Sequence, residues 1–263
     1  MEDVIFSRDG QVEVITLSRP DMMNCFNNSM LYELSRRFAE LHQDDECRAV
    51  VVTGAGRGFC TGADLTGGGA RADAATPMGM RLSTHVYSSV IRAMVTMEKP
   101  VIGAINGDAA GAGCNFALAC DLLIASEKAR FIQVFVRRGL VVDMSGTFFL
   151  PRLIGLAKAK ELAFSGEAID AQRALDLGLV MKVVPEDELM DEAMEMAHKL
   201  AQGPTRAIGM IKRMLNRSFE SDLETALEME ATMQGIAVST PDVVEGITSF
   251  LQKRPPKFTG KSC

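Results

Sequence analysis

The sequence predicts an α/β fold over residues 1–184 and an all-helical region over residues 185–263. Two observations carry the first part. Short, uniformly apolar runs alternate with stretches whose apolar residues recur at helical spacing, and strands of that kind belong to a sheet covered on both faces. The third observation is a change of character after Pro185, where the strand-like runs stop and four amphipathic stretches follow.

Val4 to Phe6 and Val12 to Leu17 bracket the turn Arg8-Asp9-Gly10 and read as a hairpin. Met30 to Leu41 is helical through Leu31, Leu34, Phe38 and Leu41, and Ala49 to Thr53 is a buried strand. Gly67 to Gly79 is too poor in apolar residues to pack and reads as a mobile loop. Leu82 to Met97 is helical, and Pro100 sets the start of a second buried strand, Val101 to Ile105. An apolar helical segment, Asn115 to Ala119, precedes a further strand at Leu122 to Ala125. Glu186 to Gln202, Pro204 to Arg217, Asp222 to Val238 and Pro241 to Lys253 read as helices, two of them opened by proline. Their apolar stripes suit a packed bundle or a subunit interface.

The balance of 28 basic against 34 acidic residues gives a net charge of −6, and no stretch gathers a run of like charges. This predicts neither a nucleic-acid nor an anionic-membrane partner. No apolar stretch approaches the ~20 residues of a membrane span. The opening, MEDVIFSRDG, carries acids where a secretory signal carries bases, which predicts a cytoplasmic protein. The six cysteines (Cys25, Cys47, Cys60, Cys114, Cys120 and Cys263) form neither a CxxC nor a cysteine–histidine metal spacing, so reduced, mostly buried thiols and no metal are expected.

Two glycine-rich turns follow apolar strands. Gly54-Ala-Gly-Arg-Gly-Phe fails as a dinucleotide fingerprint, because GxGxxG needs glycine where Phe59 stands. The second, Asn106-Gly-Asp-Ala-Ala-Gly-Ala-Gly-Cys, leads small residues into a helical segment. Such a helix start presents unpaired backbone N–H groups and suits developing negative charge. Tight packing of helix on sheet accounts for the small residues equally well.

Taken together, Gly54 to Leu65 and Ile105 to Ala125 resemble the two signature regions of the crotonase superfamily, the enoyl-CoA hydratases and isomerases. The similarity runs from Leu17-Ser-Arg-Pro to the ending Phe250 to Lys261. The resemblance implies a crotonase (ClpP-like) spiral of ββα units followed by a C-terminal helical trimerisation region, assembled as a homotrimer or a dimer of trimers. It also implies an acyl-CoA thioester as substrate, with coenzyme A entering only as part of it and no permanently bound cofactor. The thioester oxygen would lie between the N–H groups matching Ala63 and Ala112, where two preorganised donors stabilise an enolate.

The family's hydratases use two glutamates, whose positions match Asn115 and Phe135. Neither can ionise, so general acid–base catalysis by that pair is lost. Asp143, in Val142-Asp-Met-Ser-Gly, matches the acidic position of a branch that includes the ring-1,2-epoxyphenylacetyl-CoA isomerases of the phenylacetate pathway, which commonly shows Pro-Asp-x-Gly-Gly. One carboxylate can take a proton from one carbon and return it to another, so an isomerase with Asp143 as proton shuttle is the expected activity. A hydratase with an atypical base and a noncatalytic acyl-CoA binding subunit are the alternatives. From the residues alone, Asp143 is also a good N-cap for a helix over Met144 to Leu150.

Asn115 is expected as a polar pocket residue that orients substrate or water. Phe135, Tyr87 and Met144 are expected to border the acyl pocket. The resemblance places coenzyme A against Arg19, the backbone of Asp64 and Leu65, and the tail residues Lys257, Phe258 and Lys261.

Overall fold

The computed structural model describes residues 2–66 and 76–261. Strands β1 (Val4–Asp9) and β2 (Val12–Leu17) form the expected hairpin, longer in its first strand, with Gly10 at φ +58° in the turn. Helix α1 (Asn28–Gln43) is capped by the Asn27 side chain, which accepts from the Met30 N–H, and it buries Met30, Leu31, Leu34, Phe38 and Leu41. Three turns of chain then repeat one plan, a long strand followed by a short one. These are β3 (Ala49–Gly54) with β4 (Gly58–Cys60), β5 (Val101–Ile105) with β6 (Asp108–Ala110), and β7 (Leu122–Ser126) with β8 (Arg130–Ile132). Helix α2 (Pro77–Thr96) joins the first pair to the second, and α3 (Ala112–Leu118) the second to the third.

Helices α4 (Gly146–Ile154) and α5 (Leu156–Ser165) follow, then β9 (Ala168–Asp170), α6 (Ala171–Asp176) and β10 (Lys182–Val184). The long strands build a six-stranded sheet in the order β1-β2-β3-β5-β7-β10, parallel except for the first pair. The short ones build a second sheet in the order β4-β6-β8-β9. Each repeat therefore climbs one strand in both sheets, which winds the chain into a spiral. The buried pattern of β5, and of β3 up to Thr53, follows from cover on both faces.

Helices α7 (Leu189–Ala201), α8 (Thr205–Arg217), α9 (Leu223–Ala237) and α10 (Pro241–Leu251) complete the chain. Placed by sequence in the C-terminal helical region, α7 packs on the main sheet: Leu189, Ala193, Ala197 and Ala201 meet Val12, Val51, Ile102 and Ile124 in one core cluster. By contrast, α9 buries no residue, and α10 leaves Val244, Ile247, Phe250 and Leu251 exposed.

Most of the expected mobile loop, residues 67–75, lies outside the described residues. Its last four belong instead to the start of α2, where the Thr76 hydroxyl accepts from the Gly79 N–H and Pro77 occupies the first turn. The helix thus starts five residues before Leu82, because a Thr-Pro cap needs no apolar neighbours. Cys25, Cys47, Cys60, Cys114 and Cys120 are buried free thiols, and Cys263 lies outside the described residues.

The other core cluster centres on Phe116, fully buried on α3, with Phe26 edge-on at 5.5 Å and Phe59 stacked at 6.2 Å. Truncating such a ring removes transfer energy and leaves a cavity. Phe116→Ala is expected to lower the unfolding free energy by about 3–5 kcal/mol in urea titration.

Candidate active site

The site begins with glycines that allow two backbones to touch. At Gly113 in α3, a Cβ would lie 2.1 Å from the Cys60 carbonyl oxygen, so only glycine lets the helix dock on β4. Gly62, at φ +97°, lies so close that a Cβ there would be 3.4 Å from the Ala112 nitrogen. Ala63 follows it, bridged to Phe26 through the Phe26 N–H to the Gly62 carbonyl and the Asp64 N–H to the Phe26 carbonyl. The Ala63 N–H has no acceptor among the described residues. Ala112 opens α3, so its N–H has no partner within the helix either. Two free donors on adjacent segments can bind one oxygen that gains negative charge.

Asp143 is brought to the same region by α3. The Asn115 Nδ2 donates to the Asp143 carbonyl at 2.8 Å, and the Gly146 N–H donates to it at 3.0 Å. The Asp143 side chain caps nothing: α4 begins after Ser145, with no side-chain cap. The helix expected over Met144 to Leu150 therefore starts later and without Asp143, because Met144 and Ser145 sit in the left-handed region at φ +45° and +65°. The Oδ1 of Asp143 is buried and has no hydrogen-bond partner among the described residues. Burial pushes this carboxyl up to about 6, opposed only by the residue's own backbone N–H.

An apolar cavity of about 390 Å³ runs alongside this turn, walled by Phe135, Val142, Gly146, Leu150, Ala159 and Phe164, with Lys160 at its rim. Phe135 connects it to the donor pair, since its Cζ lies 3.8 Å from where a Gly111 Cβ would be. Met144 does not reach the cavity; at 2% exposure it belongs to the main core. Tyr87, also buried, sits edge-on to Phe26 at 6.3 Å. Burial and then the Asp143 carboxylate push its phenol upward, so it stays a neutral hydroxyl, and it is not among the residues that wall the cavity. Asn115, expected in a pocket, is fully buried, and both ends of its amide are taken up by protein partners.

The residues assigned to coenzyme A divide. Arg19 donates to the Asp64 carboxylate at 2.9 Å, and Asp64 is held down at about 2 by the Thr66 hydroxyl and by Arg19, so the pair is mutually neutralised. The Asp64 N–H is occupied by Phe26, while Leu65 is exposed. The structure does not bring Lys257, Phe258 and Lys261 to this site. Asp242 accepts from the Thr259 and Gly260 N–H groups, and Arg48 donates to the Phe258 carbonyl at 3.2 Å. Arg48 precedes β3, whereas Ala63 follows its far end. A six-residue strand spans about 20 Å, which separates the tail from the donor pair.

A family model for enoyl-CoA hydratase/isomerase matches residues 7–261. The chain belongs to the enoyl-CoA hydratase/isomerase family. Among relatives, the 1,2-epoxyphenylacetyl-CoA isomerase of Escherichia coli is 38% identical over 99% of this chain and 100% of that protein. The short-chain-enoyl-CoA hydratase of Clostridium acetobutylicum is 38% identical over 97% of this chain and 96% of its own. The crystal structure of the enoyl-CoA hydratase from Bacillus anthracis superposes with a TM-score of 0.92 at 32% identity, covering 99% of this chain and 100% of that one. The spiral is therefore the crotonase fold, as the resemblance implied. The signal for the Gln133–Asn115–Asp143 contacts was absent from either signature region, because these residues lie 18 and 28 positions apart.

A carboxyl raised above its ordinary 3.8 to about 6 stabilises the fold only while protonated. That contribution is complete below pH about 4 and is lost as pH rises through about 6. Asp143→Asn is thus expected to be more stable than wild type by about 1–3 kcal/mol at pH 8, with the difference vanishing near pH 4, in denaturant titrations at both pH values.

Proposed function

We propose that the protein is an acyl-CoA isomerase that moves a double bond, or rearranges a ring, through a thioester enolate. One observation carries this reading: Asp143 presents a buried, unpartnered carboxyl oxygen, whereas positions 115 and 135 hold an amide and a phenyl ring. The N–H groups of Ala63 and Ala112 bind the thioester oxygen as it becomes an oxyanion. Asp143, ionised, removes a proton from the carbon that feeds this enolate and returns it to another carbon of the same conjugated system. Proton affinity near neutrality suits both halves of that exchange, because the carboxyl must accept and then release. The isomerase name of the Escherichia coli relative also supports it.

The substrate class is an unsaturated or ring-derived acyl-CoA whose apolar end occupies the cavity beside Phe135. Coenzyme A comes and goes with it, and no resident cofactor takes part. We place the enzyme in the cytoplasm as a homotrimer or dimer of trimers. The exposed Leu223, Leu227 and Ile236 of α9, with Val244, Ile247 and Phe250 of α10, support assembly through these helices. Lys257, Phe258 and Lys261, held away from their own chain's donor pair, then become available to coenzyme A on a neighbouring copy.

Incubation of a 3-enoyl-CoA, followed by ultraviolet absorbance and product mass, tests the reaction. Wild type is expected to form the conjugated thioester without change of mass, and Asp143→Asn to lose about 10²–10⁴-fold in kcat. Gain of one water that survives in Asp143→Asn overturns the reading in favour of a hydratase. Because the base must be ionised, kcat/KM is expected to rise tenfold per pH unit up to about 6 and then level off.

A further inference from the structure

We infer that Asn115 and Gln133 form a one-directional amide clamp that holds the backbone of Asp143 so that its carboxylate points at the substrate. The inference rests on the reading of Asp143 as the proton shuttle and adds two positioning residues to it.

The polarity of the clamp follows from what each group can do. A backbone carbonyl only accepts, so the Asn115 Nδ2, at 2.8 Å from the Asp143 carbonyl, must be the donor. The Asn115 Oδ1 is thereby turned toward Gln133, whose Nε2 donates to it at 2.7 Å. Gln133 is 2% exposed, and its own Oε1 is buried without a partner among the described residues. An orphaned buried oxygen is costly, and the fold tolerates it at the end of a chain of hydrogen bonds that terminates on Asp143.

The held segment resists this geometry. Met144 and Ser145 both carry a Cβ into the left-handed region. Two consecutive residues there are retained only where their surroundings over-determine them. Gly146 completes the contact: a Cβ at this position would lie 2.4 Å from both amide atoms of Asn115, so α4 can close against the clamp only through glycine. A carboxylate at position 115, as in the family's hydratases, has no proton to give the Asp143 carbonyl and would repel it. An amide at 115 and a working carboxylate at 143 therefore belong together.

The test compares Asn115→Ala, Gln133→Met and the double variant Asn115→Ala/Ser145→Gly. Steady-state kinetics on a 3-enoyl-CoA are combined with a ¹³C NMR titration of the Asp143 carboxyl. Asn115→Ala is expected to lower kcat about 10²-fold with KM within about twofold, as for a group displaced by about 1 Å. Gln133→Met, which keeps shape and removes the donor, is expected to lower kcat about tenfold. Glycine adopts φ near +65° unaided, so Ser145→Gly is expected to restore about tenfold of the loss. The Asp143 midpoint is expected to fall from about 6 toward about 4 in Asn115→Ala as the freed turn admits water.

Folded Asn115→Ala with unchanged kcat, or with a loss confined to KM, overturns the clamp, as does a double variant no better than the single. If Asn115→Ala does not fold, an unchanged kcat in Gln133→Met overturns it. If wild type fails to isomerise, the proposed reaction falls by itself. The NMR titration then decides the clamp alone, and an unmoved Asp143 midpoint in both single variants rejects it.

Discussion

Everything at the site depends on the distance between the first turn of α3 and the strand segment that ends at Cys60. With no room for a Cβ at Gly113 or Gly62, the two backbones meet, and the N–H groups of Ala63 and Ala112 are left on adjacent segments without acceptors. Methylene-sized changes here push apart donors that act only when both reach one atom. The aromatic cluster under α3 supplies the force that keeps the helix down, since Phe116 packs against Phe26 and Phe59 from opposite segments of the same site. Hydrophobic burial thus sets a polar geometry, and the donors need no side chain of their own.

The Asp143 turn shows which effects outweigh which. Two left-handed residues cost about 1–3 kcal/mol each. Two hydrogen bonds to the Asp143 carbonyl return only about 0.5–1.5 kcal/mol apiece. They orient the turn but do not hold it alone. Met144, 2% exposed in the main core, contributes about 1.5–3 kcal/mol by burial, so packing offsets most of the strain and the amides decide the direction. The methionine expected to border the acyl pocket therefore serves from beneath it.

How much the sequence disclosed depended on the range of the interaction. The strands of the main sheet were legible because burial on both faces makes Ala49 to Val52 and Val101 to Ile105 apolar throughout. Helix interiors were legible because burial of one face makes apolar residues recur at helical spacing, but the start of α2 was not, since Thr76 and Pro77 act through a cap and a fixed φ without apolar pattern. The donor pair came from resemblance, and glycine spacing alone left close packing as an equal explanation. In the structure, close packing and free donors are one feature. The task of Asn115 was invisible because its partners, Gln133 and the Asp143 carbonyl, lie 18 and 28 residues away, and a carbonyl has no signature in sequence.

Charge explains how the proposed reaction runs in an acidic protein with no cation, among the described residues, offsetting the Asp143 carboxyl. Arg19, which the resemblance placed against coenzyme A, is neutralised by Asp64, whose affinity for a proton falls to about 2 under the Thr66 hydroxyl and that guanidinium. Asp143 has neither kind of partner among the described residues. Its carboxyl is raised by burial with no guanidinium or ammonium offsetting it, and the result is about 6. The same side chain therefore behaves in opposite ways within one protein. A paired carboxylate keeps its charge and declines the proton; a desolvated one takes it up and can give it back. In the proposed reaction, negative charge that leaves Asp143 during the proton transfer passes to the thioester oxygen, where backbone dipoles would receive it. Dipoles stabilise that oxygen without lowering the proton affinity of Asp143 as a nearby cation would, and this is why neutral donors suit a mechanism that uses one base twice.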